Sequence, residues 1–451
     1  MGKSSMKSYL ILDNLTVDVE ITRNPFHLSR DILFQMAARI NKKRSFLFVS
    51  KVLGKHIPVN PYIPLLGGAA LALLLHEQEG GEVTEKLEKV MKGLQFPDQA
   101  ESVYGYLKSR LLQVHEKTLF IAFAETATAL GHAMYDLFEG NASFLHTTRE
   151  RIVEMEPVLQ FEEEHSHATA HRCYSVDGEF IKEADAIVLV DDEITTGKTA
   201  LNIIRELHHT HPCAKYTIAS LLDWRSEADL KRFDDTALEL GVSIRCISLM
   251  SGRVEVHGEP EKKQAEALSE TWSGSSPEFV CHDVSDWFDH VAYSSWNQLN
   301  EKNMSTYLSN TGRFGLRPGD CRELDRQVSQ CASFLKSQRS GSNALCMGTG
   351  EFMYIPMRIA AEMGEGINYQ SSTRSPIYPS SAPEYAVSNR FSFHAPEDVS
   401  VLNYFYNIPQ GQYDELFVFI ERQMPAGQEI SFIQALESTG IPKIHLVTFN
   451  S

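Results

Sequence analysis

Short apolar runs, each ending in a polar turn, set the rhythm of this chain. Residues 186–190 are five consecutive apolar residues, the length and composition of a strand buried on both faces. A polar stretch, 191–199, follows, and apolar residues then recur at 200, 203, 204 and 207, the spacing of a helix with one buried stripe. Residues 118–123, 142–145 and 217–222 are similar runs and predict further strands. Upstream, 9–22 alternate loosely as one or two strands, 28–40 carry apolar residues at helical spacing, 45–50 form a strand and 62–115 are mostly helical. Residues 243–256 predict two short strands. Residues 257–280, rich in Glu, Lys, Ser and Gly, lose their periodicity and mark a linker. A strand before Gly348, a helix to Met363 and strands at 416–420 and 443–448 make a second unit. Strands alternating with helices predict an α/β class with a parallel sheet. The division is a first domain over 1–260, a linker and connecting helix over 261–300, and a second, smaller α/β domain over 301–451.

Composition narrows the function classes. The 451 residues are 43% hydrophobic and 22% charged, the balance of a globular protein with a sizeable core. The net charge of −17 argues against a nucleic-acid backbone as partner. The longest apolar run, 62–75, is interrupted by Pro64 and is too short to cross a bilayer. No apolar segment near the start has the length of a signal peptide. Seven cysteines without C-x-x-C pairs suit free thiols in a reducing compartment. The expectation is a cytoplasmic protein that engages neither membrane nor nucleic acid.

The candidate chemistry centres on 191–199. Asp191 and Asp192 follow the apolar run at once, then Thr195, Thr196, Gly197, Lys198 and Thr199 lead into the helix. A helix N-terminus offers unpaired N–H groups to a phosphate. Gly197 allows close backbone approach, and the threonine hydroxyls add donors. Carboxylates at a strand's C-terminal end accept hydrogen bonds from a vicinal diol and help hold a cation. A nucleoside-triphosphate P-loop needs a glycine six residues before the lysine; Asp192 stands there, so that reading fails. The stretch closely resembles the phosphoribosyl pyrophosphate (PRPP) signature of type I phosphoribosyltransferases. The resemblance implies that the acids hold the ribose hydroxyls, that 195–199 hold the 5′-phosphate, and that Mg²⁺ bridges at Asp191 and Asp192.

Other stretches take roles around this one. Lys51, Lys55 and His56 surround Gly54 just past a strand, a place for an anionic substrate or a solvated basic turn. Glu125, Thr126, Ala127 and Thr128 lie between a strand and a helix, where the resemblance implies a pyrophosphate loop. Glu125 is unusual for such a loop and suits a cation or a neighbouring amide. Arg149, at the end of a strand, grips phosphate or sits in a surface salt bridge. Residues 161–171 are polar and occupy the place of a mobile lid, with His165 or His167 donating to departing pyrophosphate. With His171 and nearby Cys173, those histidines are also a zinc candidate. His208, His209 and His211 suit a solvated helix end. Trp224, after strand 217–222, either stacks on a base or fills the core.

The second unit carries Thr373, Arg374, Ser375 and Pro376, which resemble the TRSP domain that accompanies a divergent phosphoribosyltransferase domain in bacterial tellurium-resistance and stress gene clusters. The implied activity is transfer of 5-phosphoribose from PRPP to an unidentified base-like small molecule. The alternative is a regulatory module that senses PRPP or a nucleotide without turnover. Spacing also predicts that the second unit is a degenerate copy of the first. Glu125 precedes Arg149 by 24 residues, and Glu351 precedes Arg374 by 23. Gly197 lies six residues after Asp191, and Gly427 six after Glu421. Arg422 replaces Asp192, and Pro425 and Ala426 replace threonines, so the copy loses the diol site. Arg422 suits an anion. Thr373, Arg374 and Ser375, with the Gly348–Glu351 loop, are candidates for a phosphorylated acceptor. The assembly is then a homodimer or an intramolecular pseudo-dimer.

Overall fold

Five consecutive apolar residues, Ala186–Val190, form the middle of a parallel sheet, and all five are buried. The computed structural model describes residues 5–12, 14–40, 44–162, 170–258, 276–395, 398–424 and 427–450. The elements that build the site in the first half are β1 (Ser5–Leu12), β2 (Leu15–Arg23), β3 (Phe34–Ala38), β4 (Phe46–Ser50), α1 (Tyr62–Gln78), β5 (Leu112–Ala122), α2 (Ala127–Tyr135) and β6 (Phe138–His146). Then come β7 (Leu159–Glu162), β8 (Ala170–Cys173), β9 (Ala186–Val190), α3 (Lys198–Thr210), β10 (Lys215–Asp223), α4 (Glu227–Leu240) and β11 (Ser243–His257). The second half adds β12 (Glu278–Asp283), α5 (Pro318–Gln338), β13 (Ala344–Gly348), α6 (Tyr354–Glu362), β14 (Ile367–Ser371), β15 (Arg390–Ala395), β16 (Asp398–Tyr406), β17 (Glu415–Ile420), α7 (Ile430–Glu437) and β18 (Lys443–Thr448).

The first sheet runs β1-β2-β11-β10-β9-β5-β6, with residues 193–194 pairing beside β10. Its five strands from β11 to β6 are mutually parallel, and β2 and β1 add antiparallel at one edge. Val190 stands opposite both Ala122 and Ala219. The turns after β5, β9 and β10 therefore open at the same end of the sheet, where open α/β sheets bind ligands. Helix α1 is apolar nearly all round, with thirteen of its seventeen residues buried. It lies close to α2 because Gly68 has no side chain; a Cβ there would meet the Ala133 Cβ at 2.6 Å.

The second sheet runs β12-β18-β17-β13-β14, all parallel. Strand for strand this repeats β11-β10-β9-β5-β6. Each half places a helix between its first two core strands, an antiparallel hairpin next (β7–β8, β15–β16), and a helix between the last two. The hydrogen bonds repeat as well. The Thr147 N–H donates to the Ala122 carbonyl, and the Ser372 N–H to that of Gly348. Thr148 exchanges both backbone bonds with Arg172, as Thr373 does with Tyr404. Gly197 and Gly427 both take left-handed backbone, φ +69° and +84°. The second half has the architecture of the first. One difference is that β12 precedes its sheet in sequence, whereas β11 follows its own.

Three predicted elements differ. Residues 28–40 form one turn capped by Ser29, Arg30–Leu33, and then β3, which pairs with β4; pairing decides between a helix and a strand when the apolar spacing is compatible with either. Residues 243–256 are one strand, not two, because β11 is held by β10 on one side and β2 on the other. The linker expected over 261–300 includes β12, an edge strand of the second sheet. The chain then returns to the first half. Leu316 exchanges two backbone bonds with Phe144, and Gly312 accepts from the His146 N–H, so 312–316 cover the β6 edge.

Candidate functional site

Gly197 fixes the shape of the loop after β9. It caps α3 in left-handed backbone, and a Cβ there would lie 2.4 Å from Phe233 Cζ. Phe233 is in turn covered by Arg225, whose guanidinium is 4.3 Å from the ring centre and bidentate on Asp223 at 2.9 and 2.6 Å. Beside the loop, Arg44 reaches in from the turn before β4. It donates to Glu193 at 2.5 Å and to the Thr195 hydroxyl at 3.3 Å. The N–H of Asp192 donates to the Asp191 carboxylate at 2.9 Å. Burial, with Glu193 nearby, pushes the Asp192 carboxyl up to about 6.

Arg44, Asp191, Asp192, Glu193 and the loop 195–199 line one cleft of about 860 Å³ together with Glu125, Thr126, Arg149, Thr373, Arg374 and Ser375. The expected acid pair, phosphate loop and TRSP residues therefore meet in one place although they come from both halves of the chain. Arg39, Arg44, Arg151 and Arg172 line it too and were not expected there. Arg44 ends a basic run, 42–44, which was a usable signal; Arg172 is one cation in a polar segment dominated by histidines. His165 and His167 lie outside the described residues, as do Pro425 and Ala426. Ala170 and Arg172, on the returning strand of the same hairpin, do line the cleft. His171 is fully buried beneath it and stacks on Phe161, which places it in the core.

Six expected site residues are corrected by placement. Lys55 is fully buried, 2.6 Å from the Glu125 carboxylate, and donates to the Gly350 carbonyl at 2.8 Å. It joins the two halves and does not face the cleft. His56 is buried beside Tyr406; burial and then Lys55 push its pKa down to about 3, so the ring is neutral. Lys51 donates to the Asp31 carbonyl at 2.7 Å. None of the three lines the cleft, so none is placed to receive an anionic substrate. Trp224 is in the core, stacked on Phe48 with ring centres 4.6 Å apart and edge-on to Phe34, and so does not face a base. Ala127 and Thr128 are also buried, and the Thr128 hydroxyl donates to the carbonyls of Glu125 and Glu351 at 3.1 and 3.3 Å.

Glu125 is the hub of this interior. Burial alone would raise its carboxyl, but Lys55, then Arg149 and Arg374, override burial and hold it at about 2. Arg374 Nε lies 3.9 Å from it. The equivalent residue of the second half, Glu351, accepts from the Thr148 hydroxyl at 2.6 Å and the Arg149 N–H at 2.9 Å. Each half's acid thus faces the other half's arginine turn.

The second half's own cleft is filled by the chain. Glu421, at the Asp191 position, receives Arg313 in a bidentate pair at 2.8 and 3.0 Å. Arg422, at the Asp192 position, donates to Glu150 at 2.8 Å, Ser295 at 2.7 Å and the carbonyls of Asn303 and Ser305. Arg422 is therefore committed to the fold, contrary to the expectation that it suits an anion. A small cavity remains there, lined by Gly350 and Glu351 and by Arg149 and Arg374, which also face the main cleft. Thr373 and Ser375 face the main cleft alone.

Residues 33–253 match the family model described as phosphoribosyl transferase (PRTase_2), and residues 310–436 that of the TRSP domain C terminus to PRTase_2. No curated protein matches the chain. Among solved structures, it is similar to adenine phosphoribosyl transferase from Trypanosoma brucei, solved in complex with AMP, pyrophosphate and ribose-5-phosphate. The identity is 16% over 34% of this chain and 65% of that one, with a TM-score of 0.22. It is also similar to adenine phosphoribosyltransferase from Leishmania donovani (14% identity, 35% and 66% coverage, TM-score 0.21). A third is orotate phosphoribosyltransferase from Aeropyrum pernix (19%, 34% and 72%, TM-score 0.20). The chain thus spans about two thirds of the length of these relatives.

Proposed function

This chain joins a phosphoribosyl transferase family domain to a TRSP domain, and from that premise we propose that its main cleft binds PRPP and transfers the 5-phosphoribosyl group to a nitrogen of a base-like acceptor. The observation that carries the proposal is the meeting of Asp191, Asp192, the Thr195–Gly197 turn and Arg149 in one cleft at the ends of adjacent parallel strands. Asp191 and Asp192 hold the ribose hydroxyls. Thr195, Thr196, Gly197, Lys198 and Thr199 receive the 5′-phosphate at the N-terminus of α3, whose N–H groups and dipole favour an anion. Arg149 and the Glu125–Thr126 turn face the pyrophosphate, and Arg172 approaches from the lid hairpin. The proposed lid histidines are His165 and His167. Thr373, Arg374 and Ser375 line the same cleft and take the acceptor.

In the transfer, the acceptor nitrogen bonds to C1 of the ribose and the bond from C1 to the pyrophosphate oxygen breaks. The electron pair leaves with pyrophosphate, and the acceptor's proton goes to solvent or to a base. The protein positions the reactants and stabilises charge.

Magnesium fits this site. Asp192 is raised by burial and by Glu193, an arrangement relieved by a cation. Asp191 and Asp192 are adjacent oxygen donors lining the cleft, the donor chemistry magnesium takes beside a polyphosphate. Asp191 and Asp192 would hold it, and it would offset charge on the leaving group. A cytoplasmic location is proposed with the reaction; all seven cysteines are free thiols, and among the described residues no helix is long and apolar enough to cross a membrane.

The test is incubation with labelled PRPP, Mg²⁺ and a metabolite extract. Acceptor-dependent pyrophosphate release supports transfer. Tight PRPP binding without release supports the sensing alternative, in which the arginines around Glu125 serve a fixed binding site.

A further inference from the structure

The charge in the main cleft exceeds what PRPP needs. Among the described residues, six arginines, Arg39, Arg44, Arg149, Arg151, Arg172 and Arg374, and Lys198 line it against four carboxylates. Lys55 adds a further positive charge from beneath, 2.6 Å from one of those carboxylates, Glu125. Positive groups then outnumber the acids Glu125, Asp191, Asp192 and Glu193 by four. A phosphate monoester and a diphosphate together bring roughly four to five negative charges, and a divalent metal bound with them cancels two. Positive charge is left for a second anion.

Its position is fixed by how the TRSP segment is held. Thr373 exchanges both backbone bonds with Tyr404 at 2.8 and 2.7 Å. The Tyr406 hydroxyl donates to the Ser375 carbonyl at 2.6 Å and accepts from the Ile377 N–H at 3.0 Å. The Ile40 N–H donates to the Pro376 carbonyl at 2.9 Å, and Arg39 forms a backbone bridge with Ile377. The segment is therefore stitched to the β3–β4 hairpin on one side and to β16 on the other. That seam sets Arg39 and Arg374 along one wall of the cleft, with apolar Ile40 and Leu47 from one element and Val401 and Leu402 from the other. Among the described residues, the carboxylate that Arg374 approaches is Glu125, at 3.9 Å, and Lys55 already holds it.

From this we infer that the acceptor is an acid: a compact, largely apolar ring compound bearing a carboxylate or phosphate, which Arg39 and Arg374 grip while the four aliphatic side chains cover its body. The inference rests on the PRPP reading and names the substrate class of that same cleft. A guanidinium fork matches a planar carboxylate or a phosphate and gives little to a neutral amide. The TRSP segment is then the part of the chain that selects the substrate.

The experiment is calorimetric titration of the full chain, loaded with Mg²⁺ and PRPP, with matched pairs: nicotinate against nicotinamide and orotate against uracil for a carboxylate, and pyridoxine phosphate against pyridoxine for a phosphate. The expected result is at least one acid favoured by about tenfold or more over its neutral partner, with Arg39→Gln and Arg374→Gln each erasing that preference. Equal or better binding of the neutral partners, no binding by any acid, or a preference that survives both substitutions would overturn the inference and leave the PRPP reading standing. Failure of PRPP itself to bind in the loading step would overturn both.

Discussion

The Glu351 carboxylate, from the second half of the chain, accepts the backbone N–H of Arg149 in the first half at 2.9 Å while taking the Thr148 hydroxyl at 2.6 Å. The turn that carries Arg149 into the cleft is thus shaped by a residue 202 positions away. Charge-assisted bonds of this kind are worth about 1.5–3 kcal/mol each. Glu351→Ala is expected to lower unfolding stability by about 2 kcal/mol or more, measured by urea titration, and to weaken PRPP binding although Glu351 does not line the main cleft. Glu351→Gln, which keeps one acceptor, should lose less on both measures.

Lys55 and Glu125 are a buried pair, and removing one partner leaves the other charged and dry. Lys55→Met should cost roughly 3–5 kcal/mol in the same titration. The wild-type pair also has a pH signature. The Glu125 carboxyl sits at about 2, below its ordinary 4.5, so its contribution is complete above pH 4.5 and is lost as the pH falls from 4.5 toward 2. Acid titration of wild type should show that loss, and Glu125→Gln should show it reduced.

The strand–acid–loop–helix unit was legible in the sequence because everything that determines it is local: five apolar residues, two acids, and a glycine at the one left-handed position of that loop. The repeat was legible through spacing, since Glu351 and Arg374 stand as Glu125 and Arg149 do. Pairings at a distance were hidden. Lys55 looked like part of a basic turn, but its partners are Glu125 and Gly350. Arg422 looked like an anion receptor, but Glu150 and Ser295 occupy it. Trp224 was open between base and core, and Phe34 and Phe48 decide for the core. The helical spacing of 28–40 was overridden by β4, to which β3 pairs.

Gly197 has no permitted substitute. Its left-handed backbone opposes a side chain, and so does the Phe233 ring, which lies 2.4 Å from where a Cβ would stand. Gly197→Ala is expected to cost about 1–2 kcal/mol from backbone strain alone, seen as a lowered Tm, and to weaken PRPP binding more than any neighbouring threonine substitution does.

Asp192 sets a pH dependence. Its carboxyl is raised to about 6, and a cation binds its ionised form. Binding of PRPP with Mg²⁺ should therefore strengthen as the pH rises from about 5 to 7 and level off above, with a proton released on binding at the lower end. Calorimetry in two buffers of different ionisation heat measures that proton. Asp192→Asn should lower the release, leaving only the share that comes from the phosphates of PRPP.

The central claim is that the acid pair and the loop after β9 are a PRPP site. The most direct measurement is calorimetric titration of the full chain with PRPP in the presence of Mg²⁺, beside Asp191→Asn and Asp192→Asn variants shown by circular dichroism to be folded. The account predicts one saturable site per chain, dependent on Mg²⁺, and weakened by about 10²-fold or more in each variant. Saturable binding that both variants retain at wild-type strength, or no binding by the folded wild type, would contradict it.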